Sequence, residues 1–194
     1  MEIDFSFCII TDNSIAACKR ISQIIESIRM QNIPNYEIIV IGGEDNKFRG
    51  NMHDVKKIHF NESIKPRWLT KKKNDIVKLC KYENVVMMHD YFILHHSWYF
   101  HYKEFLSENE YDVCCNPILM INGVREYTDW VSWDYPGIPK HSSLPYHDWT
   151  KTSGQYISGG YFLVKKKFLM ENPFNENLIG GQQEDVEWSK RIRN

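Results

Sequence analysis

Three short apolar runs set the pattern of this chain, and polar or glycine positions close each one. Phe5–Thr11 (FSFCIIT) is apolar at odd and even positions alike, as a strand buried on both faces is. Asp12-Asn13-Ser14 follows, and these residue types cap helices. Over Ile15–Met30 the apolar positions Ile21, Ile24, Ile25 and Ile28 form a helical stripe, which Asn32–Asn35 with Pro34 ends. Glu37–Ile41 (EIIVI) reads as a second buried strand, stopped by Gly42-Gly43. Lys56–Phe60 reads as a short strand, and Leu69–Tyr82 as a helix with Ile76, Leu79 and Cys80 on one side. Asn84–Met88 (NVVMM) is a further buried strand that runs into His89-Asp90-Tyr91. Ser97–Ser107 reads as an aromatic-rich helix and Asp112–Cys115 as a strand.

From Pro117 to Gln155 the periodicity fades. The stretch holds Trp130, Trp133, Trp149 and four prolines. A structureless loop of that length is uncommon, so it reads as a functional insertion with short elements. Gln155–Lys165 returns as a strand and Gln183–Arg193 as a helix. The order predicts an α/β fold with a mostly parallel, mixed central sheet flanked by helices, opened by a right-handed βαβ unit. Such sheets bind ligands beyond the carboxyl ends of their strands. Thr11–Asn13, Gly42–Asp45 and His89–Tyr91 all fall at those ends.

Composition narrows this picture only a little. A length of 194 residues and 42% apolar content fit one domain, 1–194, with a real core. A net charge of −1 gives no reason to expect nucleic acid as partner. Basic residues cluster at Lys65–Lys73 and Lys165–Lys167, where a phosphate or plain solvent would suit them. None of the five cysteines forms a C-x-x-C pair, the usage of free thiols in a reducing compartment. Acidic residues sit where a signal peptide has its basic region, and no apolar run approaches the ~20 residues of a membrane span. A cytoplasmic location is therefore expected. Because Asn194 closely follows a helix start, a longer multidomain chain is the other expectation.

The most informative segment is Tyr156–Arg193. It runs from a Gly159-Gly160 strand start through Gly180-Gly181-Gln182-Gln183 to Glu184-Asp185-Val186-Glu187-Trp188. An acidic pair after a glycine-rich loop suits the lip of a pocket better than a core. Together with Ser27-Ile28-Arg29-Met30-Gln31 and Pro34-Asn35-Tyr36-Glu37-Ile38-Ile39-Val40, it resembles family 2-like glycosyltransferases of the GT-A fold. Lys71–Asn74 (KKKN) resembles that family's basic helix start, and Val85–Tyr91 (VVMMHDY) stands where the family carries its acidic metal motif. The resemblance covers nearly the whole chain and is weakest over Pro117–Gln155. It departs at the metal motif, where His89-Asp90-Tyr91 replaces Asp-x-Asp. Relatives also place a metal-binding histidine beyond the Glu-Asp helix. Here that ligand would have to be His141, His147 or a residue outside this sequence.

The resemblance implies an enzyme that moves a sugar from a nucleotide-diphosphate sugar, with UDP favoured, to a hydroxyl of a glycan or other acceptor. Residues 1–91 would form the nucleotide-sugar half and 92–194 the acceptor and catalytic half. Asp90 would hold Mn²⁺ or Mg²⁺ on the leaving diphosphate, assisted by His89. Lys73, with Asn74, would add positive charge near a helix start. Asp185 would be the general base of an inverting reaction, and Glu184 its acceptor- or sugar-contacting neighbour. Thr11, Asp12 and Asn13 would lie against the nucleoside, and Glu44 or Asp45 would read base or ribose. Gly159 and Gly160 would let the backbone approach the donor sugar, and Trp133 or Trp130 would stack on an acceptor sugar. Plain structural roles compete with each assignment: helix-dipole acids for Glu184, Asp185 and Glu187, a turn residue for Asp90, core aromatics for the tryptophans.

Three other readings compete. A metal hydrolase on His89, Asp90, His95 and His96 has no zinc-ligand spacing to support it. A nucleotidyltransferase would need a glycine-rich loop after the first strand, and ITDNSIAA has no glycine. A catalytically inactive nucleotide-sugar-binding module of the same fold is the alternative that the missing second Asp of the metal motif keeps open.

Overall fold

The computed structural model describes residues 2–12, 14–42, 51–126, 128–133, 142–146 and 154–193. Asn13, Glu44, Asp45, His141, His147 and Trp149 lie outside them. A six-stranded sheet runs through the molecule in the order β3-β2-β1-β4-β9-β5. Strand β1 (Phe5–Ile10) is buried along its whole length between β2 (Tyr36–Ile41) and β4 (Asn84–His89), parallel to both. Strand β3 (Val55–Ile58) extends the parallel set beyond β2.

Alternate β1 residues serve two separate cores, the behaviour expected of a strand with period 2. Phe5, Phe7 and Ile9 meet α1 (Ile15–Arg29) and α3 (Trp98–Glu108) on one face. The stripe of Ile21, Ile24, Ile25 and Ile28 is what α1 buries there. Ser14 starts that helix, its Oγ accepting from Ala17 N at 3.1 Å. Cys8 and Ile10 face the other way, onto α2 (Leu69–Lys78), α4 (Lys166–Glu171) and α5 (Glu184–Arg191).

Strand β9 (Tyr161–Lys165) runs against the rest, pairing antiparallel with β4 and with β5 (Val113–Cys114). A reversed strand starts where its neighbours finish. Tyr161 pairs with Met88, and His89 N donates to Gly160 O at 2.9 Å. The glycine pair therefore stands at the same edge as the ends of β1, β2 and β4.

The stretch after Pro117 does contain short elements. Strands β6 (Val131–Ser132), β7 (Ser142–Ser143) and β8 (Gln155–Tyr156) form a small antiparallel sheet. Its organiser is Asp129, a fully buried carboxylate. Asp129 accepts from Ile118 N at 3.1 Å, from Arg125 Nε at 2.7 Å and from the Tyr146 hydroxyl. Arg125 reaches on to the carbonyls of Leu144 and Trp130 at 2.7 and 3.1 Å.

Several boundaries differ from the sequence reading. The expected strand Gln155–Lys165 is two strands, because the chain turns at Ser158–Gly160 to change sheets. Helix α2 ends at Lys78, which leaves Leu79 exposed beside buried Ile76 and Cys80. Helix α5 starts at Glu184, since Gln183 takes a left-handed backbone (φ 59°) that no helix accommodates. The basic run is not a solvated face: Lys72 and Lys73 are fully buried.

Candidate active site

The ends of β1, β2 and β4 are locked to one another before any side chain is considered. Thr11 N donates to Ile41 O at 3.0 Å, and Asp90 N to Ile10 O at 3.1 Å. Gly42 is required by this closeness, because a Cβ there would stand 2.3 Å from Thr11 O. From below, Lys72 Nζ donates to Thr11 O at 2.8 Å and pairs with Glu62. Asp12 is exposed, and its Oδ1 accepts from Ser14 N at 2.9 Å, shaping the turn into α1.

On the α2 face the acidic pair of α5 meets Lys73. Three contacts hold α5 in place. Trp188 lies among Phe162 and Phe174 and donates to Asn172 O at 2.6 Å. Ser189 Oγ accepts from Ile157 N at 2.9 Å. Gly159 N donates to Asp185 Oδ2 at 3.0 Å, while Val186 N donates to Oδ1 at 2.9 Å. The second glycine rule of the site follows: a Cβ on Gly159 would lie 2.9 Å from Asp185 Cβ and 3.0 Å from Lys73 Nζ. A Cβ on Gly160 would meet the Tyr91 hydroxyl at 3.0 Å.

Lys73 Nζ lies 3.8 Å from Glu184 Oε1 and 4.7 Å from the centre of the Phe174 ring. It has no hydrogen-bond partner among the described residues. Burial lowers its pKa, against the opposing pull of Glu184 and Asp185. His89, in step with Val85 and Met87, turns to this same face. Its Nδ1 is 3.1 Å from the Tyr91 hydroxyl, and its Nε2 is buried without a partner among the described residues. Burial, helped by the charges of Lys73 and Lys72, lowers His89 to about 3, so the ring is neutral at pH 7.

Asp90, one residue on, belongs to the α1 side. It is 6% exposed, and Arg20 of α1 holds it twice. Arg20 Nε donates to Asp90 O at 2.9 Å and Nη2 to Asp90 Oδ1 at 3.2 Å. No sequence motif pointed to Arg20. Its position in α1 carries no signal, because the partner lies 70 residues away.

The sequence-derived set is thus gathered in part. Thr11, His89, Asp90, Lys73, Gly159, Gly160, Glu184 and Asp185 lie around one sheet edge, on its two faces. Trp133 packs on Tyr156 in the cluster that also holds Val186, so it neighbours the acidic pair from the small sheet. Asn74 is the exception: its side chain accepts from Phe174 N at 2.9 Å and donates to Phe174 O and Glu176 Oε1 at 2.9 and 3.0 Å. It braces α2 against the segment after α4.

Among the described residues no three His, Cys, Asp or Glu side chains come together as a metal-holding group. Mg²⁺ at phosphate sites takes one or two carboxylates and completes its shell with phosphate oxygens and water. Asp90 fits that limited part, as a single ligand through the oxygen that Arg20 leaves. No helix among the described residues is long and apolar enough to cross a membrane.

No protein-family model and no curated protein matches the chain. Solved structures do. S. aureus TarS (residues 1–349) in complex with UDP-GlcNAc superposes with a TM-score of 0.64 at 16% identity, over 97% of this chain and 52% of the other. The mannosyltransferase PcManGT from Pyrobaculum calidifontis, in complex with GDP-Man and Mn²⁺, gives 0.61 at 10% identity, over 99% and 52%. The chain spans about half the length of these structures. The likeness establishes the fold: a GT-A type α/β sandwich with a mostly parallel central sheet.

Proposed function

We propose that this chain binds a nucleotide-diphosphate sugar at the ends of β1, β2 and β4 and transfers the sugar to an acceptor hydroxyl. The observation that carries this reading is the placement of Asp185. A carboxylate that the family resemblance implies as a base is held by two backbone N–H groups beside the Gly159-Gly160 turn, next to the strand ends. UDP-GlcNAc and GDP-Man bound in structures of the same fold favour this donor class.

In the proposed reaction the acceptor oxygen forms a bond to the anomeric carbon as the bond from that carbon to the diphosphate oxygen breaks. Asp185 takes the acceptor's proton, and the diphosphate leaves with the bonding electrons. A base on the side opposite the leaving group gives inversion. Glu184 contacts the sugar or acceptor, Thr11 and Asp12 lie against the nucleoside, and Trp133 offers a ring to the acceptor. Gly159 and Gly160 keep side chains out of the donor sugar's path. Asn13, Glu44 and Asp45 belong to the nucleoside part of the proposal and lie outside the described residues. Mn²⁺ or Mg²⁺ held by Asp90 would offset charge on the leaving diphosphate. The acceptor is a glycan or another hydroxyl compound, and the setting is the cytoplasm, as one domain or as part of a longer chain.

The test is a donor-turnover assay with UDP- and GDP-sugars and Mn²⁺. Asp185→Asn, whose single amide oxygen can still accept from one of the Gly159 and Val186 N–H groups, should lower turnover by about 10²–10⁴. Its urea midpoint, measured alongside, separates this loss from any loss of fold. Wild-type turnover in the Asn variant would remove Asp185 from the mechanism.

A further inference from the structure

We propose that Arg20 is a diphosphate-binding residue of this site and that Asp90 serves as its positioning residue. The proposal rests on the nucleotide-diphosphate-sugar reading above and adds a residue and a role to it.

A guanidinium has five N–H donors in a planar fork. Asp90 takes two of them, Nε through its carbonyl at 2.9 Å and Nη2 through Oδ1 at 3.2 Å. Arg20 is otherwise open, with 41% of its side chain exposed, while the Asp90 carboxylate is 9% exposed. A guanidinium gripped along one edge presents the other edge in a fixed direction. That edge stands at the carboxyl end of β4, where this class of sheet receives ligands. Paired phosphate oxygens match the fork, and the order already imposed by Asp90 lowers the entropy lost on binding.

The pairing also answers an electrostatic difficulty. Asp90 alone would repel a diphosphate. With Arg20 on Oδ1 the pair is neutral, and the remaining N–H groups turn the approach favourable. His89 cannot provide this charge, since it turns to the opposite face. Lys73 cannot provide it directly, since its Nζ is buried under Gly159 and beside Glu184. Among the described residues, Arg20 is the cation whose donors are both anchored and reachable at β4's end.

The experiment is calorimetric titration of the full chain with UDP and with GDP, once in EDTA and once in Mn²⁺. Wild type should bind one of the two in EDTA. Arg20→Met should weaken that binding at least tenfold, and Arg20→Lys, a point charge without the fork, should recover only part of it. Asp90→Asn keeps an acceptor for Nη2 and should weaken binding in EDTA less than Arg20→Met does. Circular dichroism on Arg20→Met should match wild type, because the side chain is half in solvent. Undiminished binding by Arg20→Met in EDTA would overturn the inference, as would wild-type binding that appears only with Mn²⁺. If Mn²⁺-dependent binding and sugar transfer then survive in Arg20→Met, the function stands and only the role of Arg20 falls. If neither nucleotide binds under either condition, both fall together.

Discussion

Arg20–Asp90 and Lys73–Glu184 stand on opposite faces of the same strand ends and are built in opposite ways. The first is in direct hydrogen-bond contact, with a cation open to solvent. The second is sealed: Lys73 is fully buried, Glu184 is 7% exposed, and the charges are 3.8 Å apart without a hydrogen bond. The difference teaches which cation a ligand can use. An open, anchored Arg can be shared with an incoming anion. A buried Lys between aromatic rings and two carboxylates balances the charge of the acidic pair and keeps α5 seated.

This contrast predicts a hierarchy of effects. The largest is on stability: Lys73→Ala leaves Glu184 and Asp185 without their buried counter-charge and should cost about 3 kcal/mol or more. Urea denaturation measures it, with Arg20→Ala as the comparison, expected to lose less because 41% of the Arg20 side chain is in solvent. Equal losses in the two variants would erase the distinction.

Next in size is Gly159→Ala. Its Cβ has to displace Asp185 Cβ and Lys73 Nζ, both at 3.0 Å or less, for about 1–3 kcal/mol. Turnover should fall with stability, because the displaced atom carries the proposed base. A fully active, fully stable Ala variant would mean that α5 is not seated as described.

The smallest effect concerns acid. Unfolded histidine takes its proton near pH 6.5, whereas His89 in the fold waits until about 3. Between those values the unfolded chain binds more protons, so stability is full above pH 6.5 and declines as pH falls. From pH 7 to pH 6 the decline from this group is under about 1 kcal/mol. His89→Gln should flatten that part of the curve in urea midpoints taken across this range. An unchanged slope would place the acid sensitivity elsewhere.

Much of the frame was legible in the sequence because burial on two faces writes a simple code. FSFCIIT, EIIVI and NVVMM are strands, and their polar ends converge as parallel topology requires. Asp185 and Gly159 were legible as motif residues, although the physical reason for Gly159, the closeness of Asp185 and Lys73, needed three dimensions. What stayed hidden depends on contacts far apart in the chain. Lys73 looks like one lysine of a surface run until Phe162 and Phe174 close over it. Asp129 sits in a stretch without period, and its partners Ile118, Arg125 and Tyr146 come from turns rather than from a repeating face. Arg20 occupies a polar helix position like many others, and only the crossover from β1 to β4 brings Asp90 under it.

The indole of Trp188 has a consequence for the order in which this protein is made. During synthesis from the N-terminus, the sheet has all its strands once Lys165 has emerged, some twenty residues before Trp188. A nascent chain at that stage can already close the strand ends around Thr11, Gly42 and Asp90. Asp185 reaches its post only when Trp188 slots between Phe162 and Phe174. The proposed base is therefore installed after the sheet, and the tryptophan three residues behind it is what seats it.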